Sequence, residues 1–350
     1  MKIGILTASR TDNNGTDLQA LAMQNLFQRM GAKEVEIINY ICKDIDCDAP
    51  KSLTLRNIIY FPIWFYAKYT HKSFRKRYFR KSQLLYTDAN IDKLQYDVIV
   101  VGSDQIWNLS LTGGDMSFYL PFSTDSLKYS YAASLGSAQI EKWEPKYKIK
   151  EKLSDFKDIS VRENSSLEAL RKIGINARYD LDPILMGNAD DWNSFIVPAK
   201  RRNYILLYMV SYDKNAIEYA QMVGKQYGCE ILMLNGGFKY YKNIKILNYV
   251  SIQDWLNLMA NARMVITNSY HGLSFAILFK RDFRLCLLPN IKQNNNRMID
   301  LLKMLELEDY TLEKGKISYK PINWNKVDVN LNSCIIKSEK YIESIINNSI

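Results

Sequence analysis

Histidine is nearly absent from this sequence, with only His71 and His271 in 350 residues. Cysteine is sparse as well. Cys42, Cys47, Cys229, Cys286 and Cys334 are odd in number and form no Cys-x-x-Cys pair, which argues against a disulfide framework or a zinc site and leaves reduced structural thiols. The chain has no Gly-x-Gly-x-x-Gly, no Walker loop, no Gly-x-Ser-x-Gly and no metal-spaced His/Asp cluster, so several common enzyme classes drop out and no metal is expected. No apolar run reaches the ~20 residues that span a bilayer. RNA-binding signatures, zinc-finger spacing and a basic zipper are also missing, so nucleic acid is not an expected partner despite a net charge of +10. Met1-Lys2 leads directly into the strand-like Ile3-Gly4-Ile5-Leu6 without a signal-peptide pattern, and a cytoplasmic location is the expectation.

What is present is the composition of a folded globular protein, 47% hydrophobic and 24% charged. The length suits two ordinary cores. Short apolar runs such as Tyr96 to Val101 and Tyr204 to Val210 suit strands buried on both faces. They alternate with amphipathic helices, about Leu18 to Met30, Ala216 to Gln226 and Ile252 to Asn261. Ser165-Ser166-Leu167-Glu168 has the spacing of a capping box. This alternation predicts an α/β fold with a parallel sheet in each half. Proline and charge between Asp182-Pro183 and Pro198 to Asn203 mark the boundary, giving expected domains of residues 1–190 and 191–350, with the C-terminal helices packing back toward the first.

One stretch stands apart. Ile58 to Tyr66 is apolar and aromatic, and Lys68, Lys72, Arg75, Lys76, Arg77, Arg80 and Lys81 follow it. That composition suits an element lying on an anionic membrane surface over residues 58–81, or a solvated basic helix with a core-packed start. His71 falls in this stretch and reads as exposed.

In doubly wound sheets ligands bind beyond the carboxyl ends of the strands, which singles out four polar strand-to-helix turns. They are Thr11 to Thr16, Gly102-Ser103-Asp104-Gln105, Arg162 to Ser165, and Asn268-Ser269-Tyr270-His271. His271 falls in the first turn of a helix capped by Asn268 or Ser269, where amides and the helix dipole attract anions. Histidine is also the side chain best placed to move protons near neutral pH. Arg162 ends a buried strand and reads either as a solvent-directed anion fork or as a partner of Glu163 or Asp182. Asp104 reads as a base toward a hydroxyl or as the cap of a helix bearing Ile106 and Trp107. Asn14 and Gly15 read as a loop against a ligand or as an ordinary turn. Arg297 precedes a helix and is a candidate second cation.

These turns lie in six segments that together resemble the polysaccharide pyruvyl transferase family along nearly the whole chain. In order they are Asn13 to Gln24, Val101 to Asn108, Tyr131 to Gly136, Ile159 to Glu163, Leu181-Asp182-Pro183, and Ile266 to Gly272. The resemblance implies two Rossmann-like domains facing each other across a cleft, similar to GT-B glycosyltransferases. It also implies transfer of pyruvate from phosphoenolpyruvate onto a sugar as a ketal, with phosphoenolpyruvate as co-substrate and no further cofactor. By that likeness His271 and Asp104 are the catalytic candidates. Arg162, Arg297, Ser269, Asn268 and Gly272 are the donor-binding candidates, and Asn14, Gly15, Gln19, Ser103 and Gln105 form the acceptor or cleft loops. Some relatives carry an arginine two residues before the histidine. Ser269 stands there in this chain, so the donor's charge needs another cation, Arg297 or a lysine. The acceptor expected is a lipid-linked precursor of a surface polysaccharide. Two other readings share these features, a nucleotide-sugar glycosyltransferase and a non-catalytic module that binds sugar or lipid.

Overall fold

The computed structural model describes residues 1–46, 55–136, 140–197, 203–288, 295–312 and 320–348. Cys47, Asn294 and the Pro198 to Arg202 part of the expected boundary lie outside these. The chain divides into two compact units. The first comprises residues 1–51, 74–186 and 331–350, and the second comprises residues 52–73 and 187–330.

In the first unit the elements are β1 (Lys2–Leu6), α1 (Asn14–Arg29), β2 (Glu34–Ile37), the end of α2 (Leu55–Tyr78), β3 (Val98–Val101), β4 (Leu127–Ser130), α3 (Ile140–Tyr147), α4 (Ile149–Leu153), β5 (Ser160–Val161), α5 (Asn164–Lys172) and β6 (Arg178–Tyr179). The main sheet is parallel in the order β2-β1-β3-β4. Bridges from Tyr129 to Asp158 and from Ala133 to Val161 continue it toward the β5-β6 pair. β3 reads Val-Ile-Val-Val and is buried throughout, as expected of a strand covered by structure on both faces. α1 begins at Asn14, earlier than its apolar periodicity suggests. The Asn13 side chain caps it by accepting from the Gly15 and Thr16 amides at 2.9 and 3.3 Å, so the polar turn is itself helical.

The second unit contains β7 (Tyr204–Tyr208), α6 (Lys214–Tyr227), β8 (Glu230–Leu234), β9 (Lys245–Leu247), α7 (Ile252–Asn261), β10 (Met264–Thr267), α8 (Tyr270–Leu278), β11 (Asp282–Leu285), α9 (Asn296–Leu305) and the start of α10 (Trp324–Asn347). Its sheet is also parallel, ordered β11-β10-β7-β8-β9. α8 is buried at every position, so it is a core helix rather than an amphipathic surface one.

Three sequence expectations change here. No helix begins at Asp104; the chain passes through turns and a short 3-10 helix at Ser117–Tyr119 to β4. α5 is capped at Glu163 rather than through the Ser165 to Glu168 spacing. In α2, His71 and Arg75 are buried, and burial, followed by the nearby Arg75 and Arg10 charges, pushes the Lys81 ammonium down to about 8. The basic run is therefore two-sided. His71, Phe74 and Arg75 turn inward, whereas Lys72, Lys76 and Arg77 are exposed.

The end of α10 packs in the first unit. The Tyr341 hydroxyl donates to the Ser130 carbonyl at 2.9 Å, and its ring stacks on Tyr131 at 6.4 Å. Ser338 accepts from the Leu181 amide at 3.2 Å. Replacing Tyr341 by Ala should destabilise this unit by about 3–5 kcal/mol, in the range of buried aromatic truncations. Tyr341→Phe should cost only about 1 kcal/mol, the worth of one hydrogen bond. Urea unfolding of the two variants checks the difference.

Candidate active site

In each unit the strand order reverses at one place, between β1 and β3 in the first and between β7 and β10 in the second. Such reversals open a crevice at the carboxyl ends of the strands. The turns after β1, β3 and β10 fall at these two places, and Arg162 reaches Asp104 from beyond β5.

In the first unit three turns converge on one guanidinium. Arg162, just beyond β5, has a side chain with no exposed surface. It donates through Nη1 to Asp182 Oδ2 at 2.7 Å and through Nη2 to Asp104 Oδ1 at 3.0 Å, and Glu163 Oε2 lies 3.8 Å from Nε. Of the two readings of Arg162, the structure has the pairing with Asp182, within an enclosed ion cluster rather than a solvent-directed fork, because a charge taken out of water must be paired. Asp104 keeps some exposure and sits in the left-handed region at φ 76°. Its second oxygen accepts from Thr16 Oγ1 at 3.0 Å, and its first also takes the Gln105 amide at 2.8 Å. It therefore caps no helix.

The remaining loop candidates brace this cluster. Ser103 donates from Oγ to Asp182 at 3.2 Å, and its carbonyl accepts from Thr7 Oγ1 at 2.8 Å. Thr7 Oγ1 in turn accepts from Gln19 Nε2 at 3.0 Å. The Gln105 side chain accepts from Asn108 at 3.2 Å. Asn14 and Gly15 form the first turn of α1 and are buried. From the sequence Asp182 and Glu163 enter only as partners of Arg162, and Thr16 only as the end of a polar turn.

In the second unit His271 stands in the first turn of α8, beyond the end of β10, and is 7% exposed. Ser269 is the N-cap, its Oγ accepting from the Gly272 amide at 3.3 Å. Its side chain also bonds Tyr208, whose hydroxyl burial pushes up to about 12. Asn268 uses both ends of its amide on the segment after β7, accepting from the Val210 amide at 2.8 Å and donating to the Ser211 carbonyl at 2.7 Å. A Cβ on Gly272 would lie 2.5 Å from Thr267 Oγ1 and 2.8 Å from Tyr208 Cδ1, so close packing at this position requires glycine. Arg297, in the first turn of α9, places its guanidinium 5.2 Å from the centre of the Tyr270 ring. The same ring meets His271 edge to face at 5.4 Å, so the two are neighbours of one aromatic. Among the described residues no group of His, Cys, Asp or Glu is arranged to hold a metal.

Solved structures with a similar fold include a protein of Listeria monocytogenes named as a UDP-N-acetylglucosamine 2-epimerase. It has a TM-score of 0.53 and 8% identity, with 99% of this chain and 90% of that one covered. The UDP-GlcNAc 2-epimerase of Methanocaldococcus jannaschii has a TM-score of 0.50 and 13% identity, covering 98% and 93%. At such identities the likeness concerns the fold alone, two Rossmann-like sheets of the GT-B class. No curated protein matches the sequence. The pattern of the polysaccharide pyruvyl transferase family matches residues 13–286, spanning both switch-point sites, and the chain belongs to that family.

Proposed function

We propose that this enzyme moves pyruvate from phosphoenolpyruvate onto a sugar of a surface-polysaccharide precursor as a ketal, with His271 as the acid. The observation that carries this reading is the place of His271, in the capped first turn of α8 beyond β10, at the reversal of strand order. It is a proton-transfer side chain at an anion-attracting helix end.

In the proposed reaction an imidazolium at His271 protonates the methylene carbon, and C2 becomes cationic. A sugar hydroxyl attacks C2 and loses its proton to solvent. The C2–O bond to phosphate then breaks as a methyl proton returns to the imidazole, leaving an enol ether. A second protonation from His271 and attack by a second hydroxyl close the ketal. Of the two hydroxyl protons released, one ends on the new methyl group and the other leaves with phosphate or water. In the first unit Asp104 is the proposed base toward a hydroxyl, with Arg162 holding its carboxylate in place and Thr16 holding the other oxygen. Asn268 and Gly272 set the shape of the turn. Arg297, borne on Tyr270, is the cation proposed for the donor in place of the missing arginine at Ser269.

The acceptor in this proposal is lipid-linked, and α2 rests on the anionic leaflet. Supporting this, Ile59, Phe61, Phe65 and Tyr69 are exposed on α2, and Phe61 and Phe65 stack at 6.0 Å. Lys72, Lys76 and Arg77 follow as exposed cations, a pairing of apolar and basic groups suited to an interface. Among the described residues no helix is long and apolar enough to cross a membrane.

Two measurements test these points. His271→Gln should lower acceptor-dependent phosphate release from phosphoenolpyruvate by about 10²–10⁴-fold, the worth of a positioned acid, with Asp104→Asn lowering it as well. Release of nucleoside diphosphate from a sugar nucleotide by the parent, with none of phosphate, would instead identify a glycosyltransferase. In sedimentation with anionic vesicles, Phe61→Ser with Phe65→Ser should abolish pelleting, and Lys72→Gln with Lys76→Gln should make it weaker and less salt-sensitive. Pelleting unchanged in both pairs would remove the membrane contact from the proposal.

A further inference from the structure

Residues 52–73, which include the start of α2, belong to the second unit. There α2 packs against the segments that follow β8 and β9. The Phe238 ring lies 5.2 Å from that of Tyr60, and Tyr249 meets Tyr66 edge to face at 5.5 Å. Asn248 pins the two segments together, accepting from the Gly237 amide at 3.0 Å and donating to the Gly237 carbonyl at 2.9 Å. Gly237 sits in the left-handed region at φ 70°, where a Cβ would come within 2.7 Å of the Tyr60 hydroxyl oxygen. The turn that presents Phe238 therefore depends on glycine.

This pinned loop turns its aromatic side chains outward. Phe238 and Tyr249 are more than half exposed, and Tyr240 is 88% exposed. Lys239, Lys242 and Lys245 are exposed among them, and no acidic residue stands between Glu230 and Asp254. Single surface aromatics are ordinary, but several on one loop, beside the exposed Phe61 and Phe65 of α2, make a patch of the kind that meets a partner or another phase. Aromatic groups interleaved with lysine and free of acids match the interfacial region of an anionic bilayer, where ring and ammonium are both accommodated. Through Tyr60 and Tyr66 the loop is also continuous with the helix proposed to rest on that surface.

Its place in the sheet gives the patch a further meaning. β10, β7 and β8 are parallel neighbours, so their carboxyl ends lie along one edge. Phe238 follows β8, and the Lys239 ammonium lies 5.1 Å from the centre of the Tyr212 ring, just beyond β7. The adjoining Ser211 carbonyl accepts from Asn268, in the turn that carries His271. The aromatic loop and the proposed acid thus stand on the same edge of one sheet.

We infer that Phe238, Tyr240 and Tyr249, with Lys239 and Lys242, form a second membrane-contacting element that turns the carboxyl edge of the second sheet toward an anionic leaflet. A lipid-linked acceptor then meets His271 from the lipid side. This deepens the membrane contact proposed for α2, and two weak contacts carried on one unit reinforce each other. The consequence for the acceptor rests on the pyruvyl-transfer reading, whereas the binding itself requires no turnover.

The test is sedimentation of the full chain with sucrose-loaded vesicles of phosphatidylcholine and phosphatidylserine. Phe238→Ser with Tyr240→Ser should lower the partition coefficient by about tenfold or more, the worth of withdrawing two rings from an apolar phase. Both side chains are exposed, so this variant should keep the parent's unfolding midpoint. Lys239→Gln with Lys242→Gln should weaken binding by about tenfold at low salt and little at high salt. Tyr240→Trp should add emission that shifts to the blue with these vesicles and is quenched by lipids brominated on their acyl chains. Unchanged partition in the aromatic pair, or added emission that vesicles neither shift nor quench, overturns the inference. Weaker binding of a soluble glycan in the aromatic pair, with partition unchanged, would overturn it in favour of a sugar platform. Loss of pelleting in that pair, with Phe61→Ser and Phe65→Ser pelleting as the parent does, would uphold the loop and remove α2 from the contact. Loop-dependent pelleting of a protein that releases no phosphate from phosphoenolpyruvate would uphold the surface and sink the pyruvyl-transfer reading.

Discussion

The first unit depends on one enclosed guanidinium. Arg162 has no exposed surface and is shared by Asp182 and Asp104, with Glu163 nearby. Removing a cation from water is costly, and the cost is recovered only if its donors are met by well-placed acceptors. Each acceptor comes from a different part of the chain and is fastened in turn. Thr16 ties Asp104 to α1, Ser103 ties Asp182 to the turn after β3, and the Ile184 amide holds the other oxygen of Asp182 at 3.1 Å. The site's geometry and the unit's stability are therefore one arrangement. A change that leaves this charge unpaired threatens the fold before it reaches the chemistry.

That arrangement explains why the sequence reveals the fold better than the site. Apolar runs such as Val98 to Val101 and Met264 to Thr267 announce strands because their burial is local and continuous. The helix Ile252 to Asn261 is legible for the same reason, with Ser251 and Asp254 supplying its capping box. Arg162 is different, since its partners lie 20 and 58 positions away. Pattern alone offers Glu163 and Asp182 as partners of this cation but does not choose between pairing and a solvent-directed fork, and it does not bring in Asp104. Asp104 misleads in the same way: a residue placed to cap a helix instead occupies a left-handed position that no spacing rule reveals. In α2 the run of lysines and arginines looks uniform when read linearly. Helical periodicity separates it into an inward side with His71 and Arg75 and an outward side with Lys72 and Lys76.

The candidates of the two units obey a common rule. α1 and the turn after β3 flank the reversal in the first sheet, and the turn after β10 flanks it in the second. Crossovers leave the sheet in opposite directions at such a place, so the loops diverge and leave polar groups uncovered. The family resemblance and the topology therefore select the same residues on different grounds. The resemblance supplies the identity of the reaction, whereas the topology supplies the reason a ligand would come there.

Ser269 stands where the family resemblance implies an arginine in some relatives. As N-cap, its hydroxyl takes the Gly272 amide, a task an arginine cannot perform, so the helix start is secured here at the expense of a cation. The positive charge nearby comes from α9 instead, with Arg297 lying on the face of Tyr270 while His271 meets the same ring. An aromatic face attracts a guanidinium and fixes its plane, so Tyr270 positions both the proposed acid and the proposed donor cation. In the proposed reaction the dependence on a single arginine of the turn is replaced by dependence on one aromatic ring. A substitution that kept Arg297 but removed that ring would leave the charge in place without its orientation.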